Sequence, residues 1–136
     1  MTPALTLSLL PLKLAVCRFA PTTPLPALGG EFFSVTRTAD ELSLICEDTV
    51  IPAGARAEGG WVALKLHGPF EFTLTGILTA VLIPLRDAGV GVFALSTFDT
   101  DYVLVKRERL DAALTALRGV GHTILGDGVL DAAEQE

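Results

Sequence analysis

Apolar and polar residues alternate through the first half of the chain, then give way to helical spacing. Leu5, Leu7 and Leu9 alternate with Thr6 and Ser8, and Leu12, Leu14 and Val16 continue around Lys13. A period of two places each set on one face of a strand. Pro11 has no backbone N–H to give a ladder, so it divides the run into two strand segments. Pro21 to Gly30 holds three prolines and two glycines and reads as a loop, with at most one short helical turn around Pro26 to Leu28. Phe32 to Thr38 is rich in aromatic and β-branched residues, and Leu42, Leu44 and Cys46 alternate again. The polar Ala39-Asp40-Glu41 between them is short enough for a hairpin. Glu47 to Gly60 is a turn-rich joint marked by Gly54, Gly59 and Gly60, with weak strand character at Val50-Ile51.

Trp61 to His67 opens the second half as a strand, with Val62, Leu64 and Leu66 on one face and Trp61, Ala63, Lys65 and His67 on the other. Gly76 to Ala88 carries Ile77, Leu78, Val81, Leu82 and Leu85 on one helical stripe. Pro84 within it removes one backbone donor, which predicts a kink or a shortened last turn. Gly89 fits the left-handed cap that ends a helix. Gly91 to Phe98 and Tyr102 to Lys106 form a strand pair around Asp99-Thr100-Asp101. Arg107 to Arg118 is a second helix with Leu110, Ala113, Leu114 and Leu117 inward, and His122 to Leu125 adds a last edge strand. The order is strand, helix, strand, strand, helix, strand, the split βαβ arrangement of ferredoxin-like α+β folds.

Composition adds a prediction about assembly. Hydrophobic residues make up 50% of the 136 and charged ones 19%, so the chain is too apolar to be disordered and can bury a sizeable core. A small domain exposes much of its surface, and this apolar content predicts a homodimer. The net charge of -6 and the absence of a basic run exclude nucleic acid as a partner, because phosphate binding needs clustered cations. Cys17 and Cys46 lie in apolar alternating segments and read as buried, reduced thiols. The apolar stretch Leu5 to Val16 is too short to span a bilayer and follows no basic segment, so no membrane association and a cytoplasmic location are expected.

The loop Gly68-Pro69, the run Leu74 to Leu85 and the turn Asp87-Ala88-Gly89-Val90 together resemble the ACT domain. The string Ser96-Thr97-Phe98-Asp99-Thr100-Asp101, and Phe32 to Thr36 in the first half, are similar to the tandem ACT proteins that include the CASTOR arginine sensors and their bacterial relatives. The resemblance runs from about Leu12 to Thr123. It implies a ferredoxin-like ACT fold over 61–125, a degenerate, strand-rich ACT-like half over 1–60 and a flexible acidic tail over 126–136. It also implies a non-catalytic regulatory protein that binds a free amino acid between ACT units. The candidate site carried over is the turn Val90, Gly91 and Val92, the hairpin residues Thr97, Phe98, Thr100 and Asp101, and the closing loop Glu71, Phe72, Thr73, Leu74 and Thr75. Leu74 departs from the arginine sensors, which can place an acidic residue about there, so arginine and a neutral or apolar amino acid both stay open.

The residues point to the same chemistry independently. A zwitterion needs donors for its carboxylate and acceptors for its ammonium group. Free N–H groups where the helix opens near Leu74 favour an anion, and Gly91 lets a ligand approach the backbone. Asp99 and Asp101 both have the chemistry to bind a cation or an amine; Asp99 reads better as a solvated hairpin residue, while Asp101 reads equally as solvated or as a ligand contact. Glu71 either meets a ligand amine or favours the nearby helix N-terminus. His67 and His122 have no partner at metal-ligand spacing, so no metal and no cofactor are expected. Gly89-Val90-Gly91 precedes a strand and is not a dinucleotide fingerprint. Ser96, Cys17 and Cys46 have no identifiable base beside them, so no enzyme activity is expected. The alternative is a structural protein that oligomerises or docks on a protein partner without a small ligand.

Overall fold

The computed structural model describes residues 3–68 and 76–126. The expected closing loop 71–75 and nearly all of the acidic tail therefore lie outside the described residues. The chain divides into two compact units, one of Leu12–Trp61 and one of Met1–Pro11 with Val62–Glu136. The sequence pattern groups the first strand with the first half; by its contacts it belongs with the second.

The larger unit follows the expected order. It holds the latter part of β5 (Arg56–Leu66), then α1 (Ile77–Asp87), β6 (Val92–Ser96), β7 (Asp101–Lys106), α2 (Leu110–Gly119) and β8 (Thr123–Leu125). β6 pairs antiparallel with β7, and β7 also pairs with β5. To this ferredoxin-like set the chain adds β1 (Thr6–Leu9), antiparallel to β5 with Leu7 opposite Leu66 and parallel to β8 with Leu7 opposite Ile124. The order within this unit is thus β8-β1-β5-β7-β6.

One face of this sheet supplies Leu7, Leu9, Val62, Leu64, Leu66, Val103 and Val105 to a single apolar core. The helices cover that face with Val81 and Leu85 from α1 and Leu110, Ala113, Leu114 and Leu117 from α2. The α2 side chains are the four that helical spacing selects. Each fully buried leucine contributes about 1.5–3 kcal/mol, so this layer holds the unit together. α1 ends as its sequence requires: Gly89 takes φ 72, and the Val90 N–H donates back to the Leu85 carbonyl at 2.9 Å.

Pro84 does not end α1, which runs on to Asp87. A proline at 84 leaves the carbonyl four residues earlier, on Ala80, without its helical donor. His122 Nε2 supplies one at 2.7 Å, while its Nδ1 accepts the Leu5 N–H at 3.0 Å. A backbone N–H can only donate and a carbonyl only accept, so the imidazole is neutral with its proton on Nε2. His122 is a buried, satisfied side chain that ties β1 and the start of β8 to α1.

The smaller unit has strands and no α-helix among its described residues. Its order is β3-β4-β2-β5, from β3 (Phe33–Arg37), β4 (Leu42–Glu47), β2 (Leu14–Phe19) and the first part of β5. All neighbours are antiparallel. The β3–β4 hairpin turns over Thr38–Glu41, where the Thr38 N–H donates to the Glu41 carbonyl at 2.9 Å. Asp40 N and Glu41 N donate to Thr38 Oγ1 at 3.1 and 3.2 Å, a side-chain turn that residues of this type favour. Ala15, Cys17, Phe19, Leu42, Leu44 and Cys46 form the core, with Leu28 and Ala55 packed against it. Both cysteines are free and buried. Burial pushes both thiols up, Cys46 to about 11, with its neighbour Cys17 and the nearby Glu47 and Asp48 acting in the same direction on Cys46.

Candidate functional site

At one end of the larger unit, β5 runs out into His67 and Gly68 beside the β6–β7 turn. The turn closes with the Thr97 N–H donating to the Thr100 carbonyl at 2.8 Å and the Thr97 hydroxyl donating to the same carbonyl at 3.1 Å. Thr100 is 6% exposed, and its hydroxyl donates to the Leu66 carbonyl at 2.6 Å, which locks the turn to the end of β5. His67 is fixed from the other side, its N–H donating to the Thr6 carbonyl at 2.9 Å and its Nε2 lying 2.5 Å from Ser8 Oγ.

Between these elements lies an open cleft of about 360 Å³ lined by Lys65, His67, Gly68, Asp99 and Thr100. That volume lies at the lower end of those that hold small ligands. Lys65 and His67 alternate along β5 on the face away from the helices, and both are exposed. A cation and an imidazole on one wall and a carboxylate on the other match the two ends of a zwitterion.

The expected site residues divide. Thr100 lines the cleft and Thr97 shapes the turn beside it. Phe98 stands at the tip, 81% exposed. Asp101 pairs with Ser96 across the hairpin, and the Ser96 hydroxyl donates to its carboxylate. Asp101 alternates with Tyr102 and so shares the helix-covered face with Val103 and Val105, the opposite face from Lys65. Val90 is buried in the core, and Gly91 and Val92 lie at the far end of β6. At about 3.4 Å per residue, that turn stands some 20 Å from the hairpin tip, so one unit does not bring the two together. In the sequence Lys65 reads only as a strand residue, His67 as a histidine without a metal-ligating partner, and Asp99 as a solvated hairpin residue in preference to a contact for a cation or an amine. For Lys65 and His67 the signal is the polar alternation of β5, which gives a face and not a binding role; Asp99 lies in the turn between β6 and β7.

Among the described residues no cluster of three or more His, Cys, Asp or Glu side chains could hold a metal ion. Among the described residues no helix is long and apolar enough to cross a membrane.

The family profile of the ACT domain matches residues 56–119, and a second profile, of an N-terminal domain, matches residues 13–54. The crystal structure of protein Atu0741 from Agobacterium tumefaciens is 39% identical with a TM-score of 0.85, over 91% of this chain and 94% of that one. The chain belongs to the ACT-domain family. The human protein CASTOR3P is similar at 31% identity over 93 residues, 59% of this chain and 57% of that protein. The bovine cytosolic arginine sensor for mTORC1 subunit 1 is 29% identical over 98 residues, 64% of this chain and 30% of that protein. The chain thus spans little more than half of the human relative and under a third of the bovine one. The regulatory subunit of aspartate kinase from Thermus flavus shares the fold, with a TM-score of 0.60 at 11% identity over 87% of this chain and 99% of that one. These likenesses account for the ferredoxin-like order of the larger unit, which is the ACT unit of this protein.

Proposed function

We propose that this ACT-domain protein is a regulator that binds a free amino acid at an interface between ACT units and performs no chemistry on it. The observation that carries the reading is the hairpin-end cleft, where Lys65 and His67 face Asp99. The ligand's carboxylate meets the first two and its ammonium group the third. α1 opens at the same end with Gly76 at its cap, a residue with no side chain to occupy the first-turn N–H groups.

The split of the expected residues supports an interface between units. The Val90–Val92 turn and the Thr97–Asp101 hairpin stand at opposite ends of β6, so one small ligand touches both only when they come from different ACT units. A homodimer supplies them. Binding then favours one arrangement of the copies over another, which is the only way a ligand shifts assembly. The bovine relative carries the name of a cytosolic arginine sensor, which favours an amino-acid ligand and a cytosolic setting. Leu74 leaves arginine and neutral or apolar amino acids as candidates.

A thermal-shift screen against the common amino acids, with nucleotides as controls, tests this. A ligand at a hundred times its dissociation constant adds roughly 2.7 kcal/mol, several degrees for a domain of this size. A rise with one amino acid, reduced in Lys65→Gln, is expected; no rise with any amino acid at millimolar concentration rejects the reading.

A further inference from the structure

Among the described residues, β3 pairs only with β4 and lies at the edge of the smaller unit's sheet. It carries no proline and no lysine, the usual guards of an open edge. Phe33 is 49% exposed and Val35 36%, although both stand on the core face, opposite Cys46 and Leu44.

The ladder fixes which backbone groups are free. The Thr38 N–H points toward β4, since it donates to the Glu41 carbonyl. Backbone groups alternate in direction along a strand, so Ser34 and Thr36 also point toward β4. Phe33, Val35 and Arg37 then point their N–H and C=O groups outward.

We infer that β3 is a self-pairing edge, and that a second copy of this chain adds its own β3 antiparallel to it. Only registers that set outward residues against outward residues can form the ladder. Centring the two-fold axis on Phe33 sets phenylalanine on phenylalanine and leaves Arg37 opposite Gly29. Centring it on Val35 sets Arg37 against Phe33. Centring it on Ser34 sets Phe33 against Val35 and brings Glu31 beside Arg37 of the second copy. That register covers both exposed apolar side chains and brings the Glu31 carboxylate toward the Arg37 guanidinium, which within its own chain donates to the Pro21 and Thr23 carbonyls. Each Phe33–Val35 pair exchanges two backbone hydrogen bonds, four across the axis. The two Ser34 residues meet there as a non-hydrogen-bonded pair, the closest approach in an antiparallel ladder. The inference stands apart from the amino-acid reading: the strand is in the other unit, and its test contains no ligand.

Ser34→Cys places two thiols at a separation a disulfide can span, about 4.5 Å between Cα atoms. Mild oxidation of this variant is expected to give a disulfide-linked dimer, with Thr36→Cys as the out-of-register control. Val35→Pro removes an outward N–H and spares the β3–β4 ladder. In equilibrium sedimentation it is expected to weaken dimerisation at least about tenfold with unchanged circular dichroism. Glu31→Arg should weaken the dimer, since it leaves the Arg37 bonds to the Pro21 and Thr23 carbonyls in place and sets two cations side by side. A wild-type chain that stays monomeric at tens of micromolar, a dimer untouched by Val35→Pro, or cross-linking of Thr36→Cys in preference to Ser34→Cys overturns the inference.

Discussion

Pro84 and His122 are far apart in sequence, yet the fold makes one compensate for the other. The Ala80 carbonyl is freed by Pro84 and taken by His122 Nε2 at 2.7 Å, and Ala80 is 2% exposed. Replacing His122 with Phe keeps an aromatic ring of similar bulk and removes both hydrogen bonds. Each bond is worth about 1 kcal/mol net, and a buried carbonyl left unpaired costs about 1–3 kcal/mol. His122→Phe should therefore destabilise the protein by about 2–4 kcal/mol. Pro84→Ala returns an N–H to position 84, within reach of the same carbonyl, so the carbonyl no longer depends on the imidazole. In that background His122→Phe should cost about 1–2 kcal/mol less. Urea denaturation of the four proteins, with the slope unchanged across them, gives the coupling directly. Additivity within about 0.5 kcal/mol would refute the compensation.

Three further outcomes follow from particular contacts. The Cys46 thiol is raised from 9.0 to about 11, so its folded form favours the proton; the stability it contributes is complete below about pH 9 and lost as pH rises through about 11. That amounts to on the order of 2–3 kcal/mol, read as a wild-type advantage over Cys46→Ala in urea midpoints that shrinks from pH 8 to pH 11; iodoacetamide at neutral pH should label neither cysteine until the protein unfolds. Gly89→Ala meets no neighbour within 4 Å of its new Cβ but must hold φ +72, so it should cost about 1–2 kcal/mol from backbone strain alone; a neutral urea midpoint would contradict this. Thr100→Val removes the hydroxyl bond to Leu66 and should cost about 1–3 kcal/mol, with Thr100→Ser recovering most of the loss in thermal unfolding.

Much of the ACT unit was legible in the sequence because periodicity reports burial. The spacing of Leu110, Ala113, Leu114 and Leu117 gave the buried stripe of α2, and Gly89 marked the end of α1. The placement of β1 was not legible. Its alternation says that it is a strand, but nothing local says that Leu7 lies between Leu66 and Ile124, because pairing is a property of distant residues. Pro84 reads locally as a kink, and its rescue needs a histidine 38 positions later, beyond the reach of any local rule. The cleft was legible only in part. Thr100 came from the resemblance, while Lys65, His67 and Asp99 look like ordinary strand and turn residues until β5 and the hairpin are set side by side. Asp101 carries the opposite lesson: it is one residue from Thr100 in sequence, and the period of two turns it onto the other face of the sheet.

Calorimetric titration of the wild-type protein with the amino acid that most raises its melting temperature tests the central claim most directly, repeated on Lys65→Gln and Asp99→Asn. The account predicts saturable binding that both variants weaken at least about tenfold, the loss of one charge-assisted contact each. Binding of unchanged affinity in both variants, or no heat with any amino acid, would contradict it.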